Sequence, residues 1–250
     1  MVNQVDPRLA SIRPNIGSGS DSVAGYDEGL RTYMLSIYNY MASGVLLTGL
    51  VAVFFAMGAT PQESLAGQIF LAPGFLKYIV MFAPLGLVLW LSMGINRLST
   101  GAAKAIFWAY AALMGASLST IFLAYTGASI ASTFFATAAG FGALSLYGYT
   151  TKRDLSGLGK FLLMGLVGLI IASVINMFTQ SSAASLLISI VGVFLFAGLT
   201  VYDTQKIKNM YWQVEGTDFM GKAVVMGALT LYLDFINLFL FLLRFMGDRR

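Results

Sequence analysis

Seven apolar runs of about 20 residues or more follow one another from Arg31 to the carboxyl end, leaving no room for a sizeable soluble domain. A run of that length crosses a hydrocarbon layer of roughly 30 Å at about 1.5 Å per residue. Inside lipid every backbone N–H and C=O must be paired, and a helix does this within a single segment. The pattern predicts an all-α polytopic membrane protein, with seven transmembrane helices at about 31–57, 76–96, 103–126, 128–149, 158–178, 184–208 and 222–246. Turn-forming stretches set the cuts: Gly58 to Gly74, Arg97 to Gly101, Gly127, Lys152 to Gly159, Gln180 to Ser182 and Asn209 to Gly221. Pro84 falls inside the second run and is expected to kink it.

Composition agrees with this class. The chain is 58% hydrophobic and 10% charged, against about 25% charged residues in an average soluble domain. Its mean hydropathy is +0.78. It has neither cysteine nor histidine, which removes disulfides, thiolate nucleophiles, most zinc sites and any Ser-His relay. The net charge of +4 is carried by loops and tails, where it signals membrane orientation and not nucleic-acid binding.

Residues 1–29 carry Pro7, Pro14, Gly17, Gly19 and few large apolar side chains, and read as a flexible cytoplasmic tail. Residues 30–246 form the transmembrane domain, and 247–250 a short basic tail. With the amino terminus inside, the even-numbered loops carry eight basic residues, from Arg97 to Lys222, and the odd-numbered loops only Lys77. That asymmetry supports a cytoplasmic amino terminus. Seven full crossings then place Arg244, Arg249 and Arg250 outside; the alternative is one re-entrant segment.

Small residues recur along the runs: Gly115 with Ser119, Ala139 with Ala143, and Gly165 with Gly168 and Ala172. They read as close helix-packing seams. Asn176 and Asn237 read as polar groups joining helices.

Two acids stand out against this background. An ionised carboxylate in a bilayer costs about 2.5 kcal/mol or more on insertion scales, so one that is kept marks a functional site by default. Asp234 is flanked by apolar turns and, for a helix starting near Val224, sits roughly 15 Å deep. Asp203 lies nearer the end of the sixth run, about 5–8 Å deep, with Lys206 and Lys208 following it. Read alone, it is equally an interfacial acid paired along its own helix.

The sixth and seventh runs are antiparallel and joined by a short loop, so the two acids approach from the same membrane face, and contact requires tilt or a deeper-set sixth helix. If they meet, they share a proton and titrate as a pair. Calcium can replace that proton, but two carboxylates are too few for a closed site, so metal binding at Asp203 and Asp234 is expected to be weak and transient. No other cofactor is expected. Arg97, at the end of the second run, is either a snorkelling positive-inside charge or a latch onto Asp203.

Two segments carry a family likeness. Phe196-Ala197-Gly198-Leu199-Thr200-Val201-Tyr202-Asp203-Thr204-Gln205-Lys206-Ile207-Lys208 and Ala228-Leu229-Thr230-Leu231-Tyr232-Leu233-Asp234-Phe235-Ile236-Asn237-Leu238-Phe239, closing on Leu242-Leu243-Arg244, resemble the carboxyl-terminal signature of the Bax inhibitor-1 family in its bacterial branch. The resemblance implies a bundle with the last helix central, in the bacterial cell inner membrane. It also implies a di-aspartyl pair, Asp203 with Asp234, associated with a pH-sensitive calcium leak, and a second-helix arginine, most naturally Arg97, latched onto the first aspartate.

Three functions compete. The leading expectation is a passive leak for calcium or another cation: protonating Asp203 weakens the Arg97 latch, frees the second helix and exposes a path past Asp234. A membrane interaction protein, modulating a membrane protease or stress response through its tail and loops, is the alternative. An intramembrane aspartyl protease would use the same carboxylates, but the expected Gly-x-Gly-Asp is absent, because Tyr232 and Leu233 precede Asp234. No enzymatic activity is expected.

Overall fold

The computed structural model describes residues 18–58 and 62–249, with side chains from residue 28 onward. Among the described residues the chain folds into nine helices: α1 (Ser18–Ala56), α2 (Leu65–Phe70), α3 (Leu76–Gly94), α4 (Thr100–Leu118), α5 (Ile121–Ala124), α6 (Gly127–Thr150), α7 (Ser156–Thr179), α8 (Ser182–Val214) and α9 (Met220–Met246). Seven helical spans are long and apolar enough to cross a membrane, and α4 and α5 together supply the third.

Side-chain caps start several spans where hydroxyl residues stand. Ser99 accepts from the N–H of Ala102 at 3.1 Å, Thr126 from Ser129 at 3.3 Å and Ser181 from Ala184 at 3.3 Å. Gln180 ends α7 in the left-handed region (φ 50°) with its N–H on Asn176 O. Asn176 buckles the same turn, donating to Ser185 Oγ at 2.7 Å and accepting from the N–H of Ser181 at 3.1 Å. Its reading as a joining group is thus supported by its partners. Pro84 stays inside an uninterrupted α3.

Helix α9 is the hub. Of its most apolar stretch 67% is buried, against 11% for α3 and for α7, and it packs on α8, α1, α6 and α4. Helix α7 leans on α8, and α3 on α4 and α2, so these two are peripheral. The carboxyl end returns to the α5–α6 turn: Thr126 N–H donates to Asp248 O at 3.1 Å and Asp248 N–H to Ser129 Oγ at 2.9 Å. Helix α9 therefore traverses the bundle, as seven full crossings require, and residues 247–249 are docked instead of trailing free.

Three expectations need adjusting. The first helix reaches back to Ser18, into the stretch read as a tail; residues 1–17 of that tail lie outside the described residues. The third run breaks at Ser119–Thr120, where buried Ser119 turns its hydroxyl onto Ala116 O at 2.6 Å. The sixth helix runs on to Val214, because Tyr211 and Val214 are buried and the Tyr211 ring packs 5.4 Å from Tyr33 of α1. Of the small-residue seams, Gly115 is real: a Cβ there would lie 2.5 Å from Thr48 O. Gly165 packs under Leu195, whereas Ala139, Ala143 and Gly168 face outward.

Candidate functional site

The extra turns of α8 change the depth of its aspartate. Asp203 stands eleven residues before Val214, about 16 Å along the helix, and Asp234 fourteen after Met220, about 21 Å. The expected depth of about 5–8 Å for Asp203 assumed an earlier helix end. With both helices measured from the shared loop, the two acids fall within about one helical turn of each other.

They meet. The carboxyl groups lie within hydrogen-bonding reach, Asp203 9% and Asp234 5% exposed. Contact of two carboxyl groups is a hydrogen bond only while one of them holds a proton. Without it, Oδ2 of Asp234 is a buried oxygen with no donor from the protein. Lys206, one turn beyond Asp203, is the cation acting on that carboxyl, although its own side chain is exposed.

Both acids line one cleft of about 780 Å³. Leu163, Leu166 and Ile170 of α7 form its apolar wall; Asp203 and Lys206 of α8 and Thr230, Asp234 and Asn237 of α9 supply polar atoms. Asn237 donates to Leu233 O at 2.8 Å along its own helix and lines the cleft. Helix α3 contributes no residue to it among those described. Arg97 is exposed in the α3–α4 turn and forms no ion pair among the described residues, so the structure joins Asp203 to Asp234 but not to Arg97. That turn is tied instead to the start of α9, where Lys222 Nζ donates to Asn96 O at 3.4 Å. No group of three or more acidic, histidine or cysteine side chains that would hold a metal occurs among the described residues.

The neighbours of Asp203 position α8, although nothing in the residue pattern singled them out. Thr204 Oγ1 donates to Thr200 O at 2.7 Å, so Ser145, 2.9 Å away, donates to Thr204, and Tyr38 donates to Ser145 at 2.6 Å. This chain of hydroxyls pins α1 and α6 to α8. Gln205 clamps the α6–α7 loop, accepting from Leu155 N–H at 2.9 Å and donating to Arg153 O at 2.8 Å. Lys208 donates to Tyr149 O at 2.7 Å, covering the end of α6. Elsewhere on α9, Thr48 Oγ1 donates to Ala111 O at 2.8 Å and lies 2.7 Å from the Tyr232 hydroxyl, joining α1, α4 and α9. The available signal was the density of polar side chains immediately after Asp203 in an otherwise apolar run.

The family described as "Inhibitor of apoptosis-promoting Bax1" has a model that matches residues 30–250. The chain belongs to this family, Bax inhibitor-1. Among its relatives is the Rickettsia prowazekii (strain Madrid E) protein RP147, 53% identical over 226 residues, covering 90% of this chain and 93% of that protein. The inner membrane protein YbhL of Escherichia coli (strain K12) is 49% identical over 234 residues, covering 92% and 97%. The membrane protein SpyM3_0260 of Streptococcus pyogenes serotype M3 is 40% identical over 227 residues, covering 88% and 94%. In this Bax inhibitor-1 chain the two signature segments are α8 and α9, the helices that bring the aspartates together.

Proposed function

We propose that the protein is a passive cation leak of the bacterial inner membrane, selective for the calcium class and governed by the protonation of Asp203 and Asp234. The observation that carries the reading is the contact of two buried carboxyl groups lining one cleft, with Asp234 Oδ2 lacking any donor. Two like charges about 4 Å apart repel by about 4 kcal/mol at an effective dielectric of 20, which one shared proton relieves. A divalent cation relieves it equally well, so cations and protons compete for one place. With two carboxylates and the Asn237 side chain as donors, affinity is low and passage is favoured over storage.

Arg97 enters this reading as the latch of a second, closed arrangement, in which α3 swings over the cleft and the arginine of the α3–α4 turn meets Asp203. The peripheral seating of α3, on α4 and α2, supports such a movement. The basic loops orient the bundle with the amino terminus and the α8–α9 loop in the cytoplasm. No hydrolytic step is assigned to the acids.

Calcium flux into dye-loaded liposomes, measured across pH, tests the proposal. The parent should leak with a pH-dependent rate, and Asp203→Asn and Asp234→Asn should each remove the pH dependence. Unchanged flux and profile in both variants would end the leak reading, and cleavage of a helical reporter abolished by the same changes would replace it with proteolysis.

A further inference from the structure

A second, smaller recess of about 270 Å³ lies where α7 begins and α8 leaves the bundle. Its rim is polar, with Ser156, Gln205, Asn209 and Gln213. Tyr202 and Lys206 line both this recess and the aspartate cleft, and so stand between them. The Tyr202 ring lies against Gly159 at the start of α7 so closely that a Cβ at this glycine would collide with the ring and its hydroxyl. The Lys206 ammonium sits 6.0 Å from the centre of the same ring. Ring and ammonium are thus common to both spaces.

The opposite approach is poorer. From the lipid side, water or an ion bound for Asp234 would pass the apolar wall of α7, whereas the recess offers polar side chains up to the ring itself. We propose that Tyr202 and Lys206 form the gate between the α8–α9 loop end of the bundle and the di-aspartyl cleft, the ring setting its width and the ammonium its charge selection. Water entry stands on the geometry alone; the cation as cargo rests on the leak reading above. Lys206 has two roles here, since the charge that acts on Asp203 also repels an incoming cation until the side chain swings out. Its exposure leaves it free to do so.

The absence of cysteine from the chain makes the gate directly testable. Thr230→Cys places a lone thiol in the cleft, one turn from Asp234, with little change of volume. The full chain in inside-out and right-side-out vesicles is treated with cationic and anionic membrane-impermeant methanethiosulfonates. Modification is expected from the α8–α9 loop side. Tyr202→Ala should speed both reagents, and Tyr202→Phe should keep the parental rate. Lys206→Gln should raise the cationic rate relative to the anionic by roughly tenfold, as removal of a nearby unit charge implies.

Reaction only with a lipid-soluble maleimide, or only from the opposite side, overturns the gate; so do rates indifferent to both Tyr202→Ala and Lys206→Gln. Should Tyr202→Ala fail to fold, the charge selection of Lys206→Gln, an exposed position, decides alone. Calcium flux that is absent while labelling follows the gate would sink the leak and spare the gate. Flux that persists with labelling indifferent to both variants would do the reverse.

Discussion

Replacing Thr48 with Val tests the direction of the hydrogen bonds at the centre of the bundle. Thr48 has one proton, committed to Ala111 O at 2.8 Å, so the Tyr232 hydroxyl at 2.7 Å must be the donor to Thr48 Oγ1. Both side chains are enclosed, Thr48 3% and Tyr232 0% exposed. Val removes the acceptor and strands the Tyr232 hydroxyl beside Tyr110, whose own hydroxyl already lacks a partner. A stranded buried donor costs about 1–3 kcal/mol. Tyr232→Phe removes the donor instead and leaves Thr48 with its bond to Ala111 O, a loss nearer the ~0.6 kcal/mol average of interhelical hydrogen bonds in membranes. Thr48→Val should therefore be the more costly change, and the double variant should cost less than the two singles added. Reversible unfolding in mixed micelles with increasing dodecyl sulfate, followed by far-UV circular dichroism, measures all three. Equal costs for the two singles, or strict additivity in the double, would refute the assigned direction.

Three further outcomes are expected. Gly148→Ala drives a Cβ into the backbone carbonyl of Val201 and should cost about 1–3 kcal/mol by forcing α6 off α8, read as a lower melting temperature of the detergent-solubilised protein. Asp234→Asn supplies an amide N–H to the Asp203 carboxylate without a shared proton, so the fold should be at least as stable as the parent's while the pH dependence of flux disappears; severe destabilisation would count against the carboxyl contact. Asp154, in the exposed α6–α7 loop, accepts from the Ser156 hydroxyl at 2.6 Å and its N–H at 2.9 Å, which hold its carboxyl below the ordinary 3.8. A depressed folded value contributes stability that is full above 3.8 and lost as pH falls through the folded value, so protection of the Ser156 amide, relative to its intrinsic exchange, should fall only at acid pH, and Asp154→Ala should abolish that dependence.

The spans were legible because hydropathy reports the solvent of each segment directly. Observed and expected limits agree within a few residues for α3, α6, α7 and α9. The misses share a cause. Asn209 to Gly221 is polar enough to read as a loop, yet its first six residues continue α8 beyond the apolar run because Tyr211 and Val214 bury themselves, Tyr211 against α1. Gly115 and Ala139 look alike in the chain, and only the rotation of each helix sends one into a seam and the other outward. Thr204, Gln205, Ser145 and Tyr38 carried no individual mark, since a hydroxyl or amide is ordinary until a partner from another helix stands opposite it.

The residue pattern alone was enough for seven apolar spans, for the limits of most of them, and for two acids too costly to be idle. Peptide groups in hydrocarbon admit one local solution, and a run of apolar residues announces it. That acids thirty-one residues apart touch was decided only in three dimensions. Their contact depends on how far α8 extends before the turn and on the face it presents to α9. The first is set by the burial of Tyr211 and Val214, the second by close packing at Gly148 and by hydrogen bonds from α1 and α6, interactions between segments that no local pattern records.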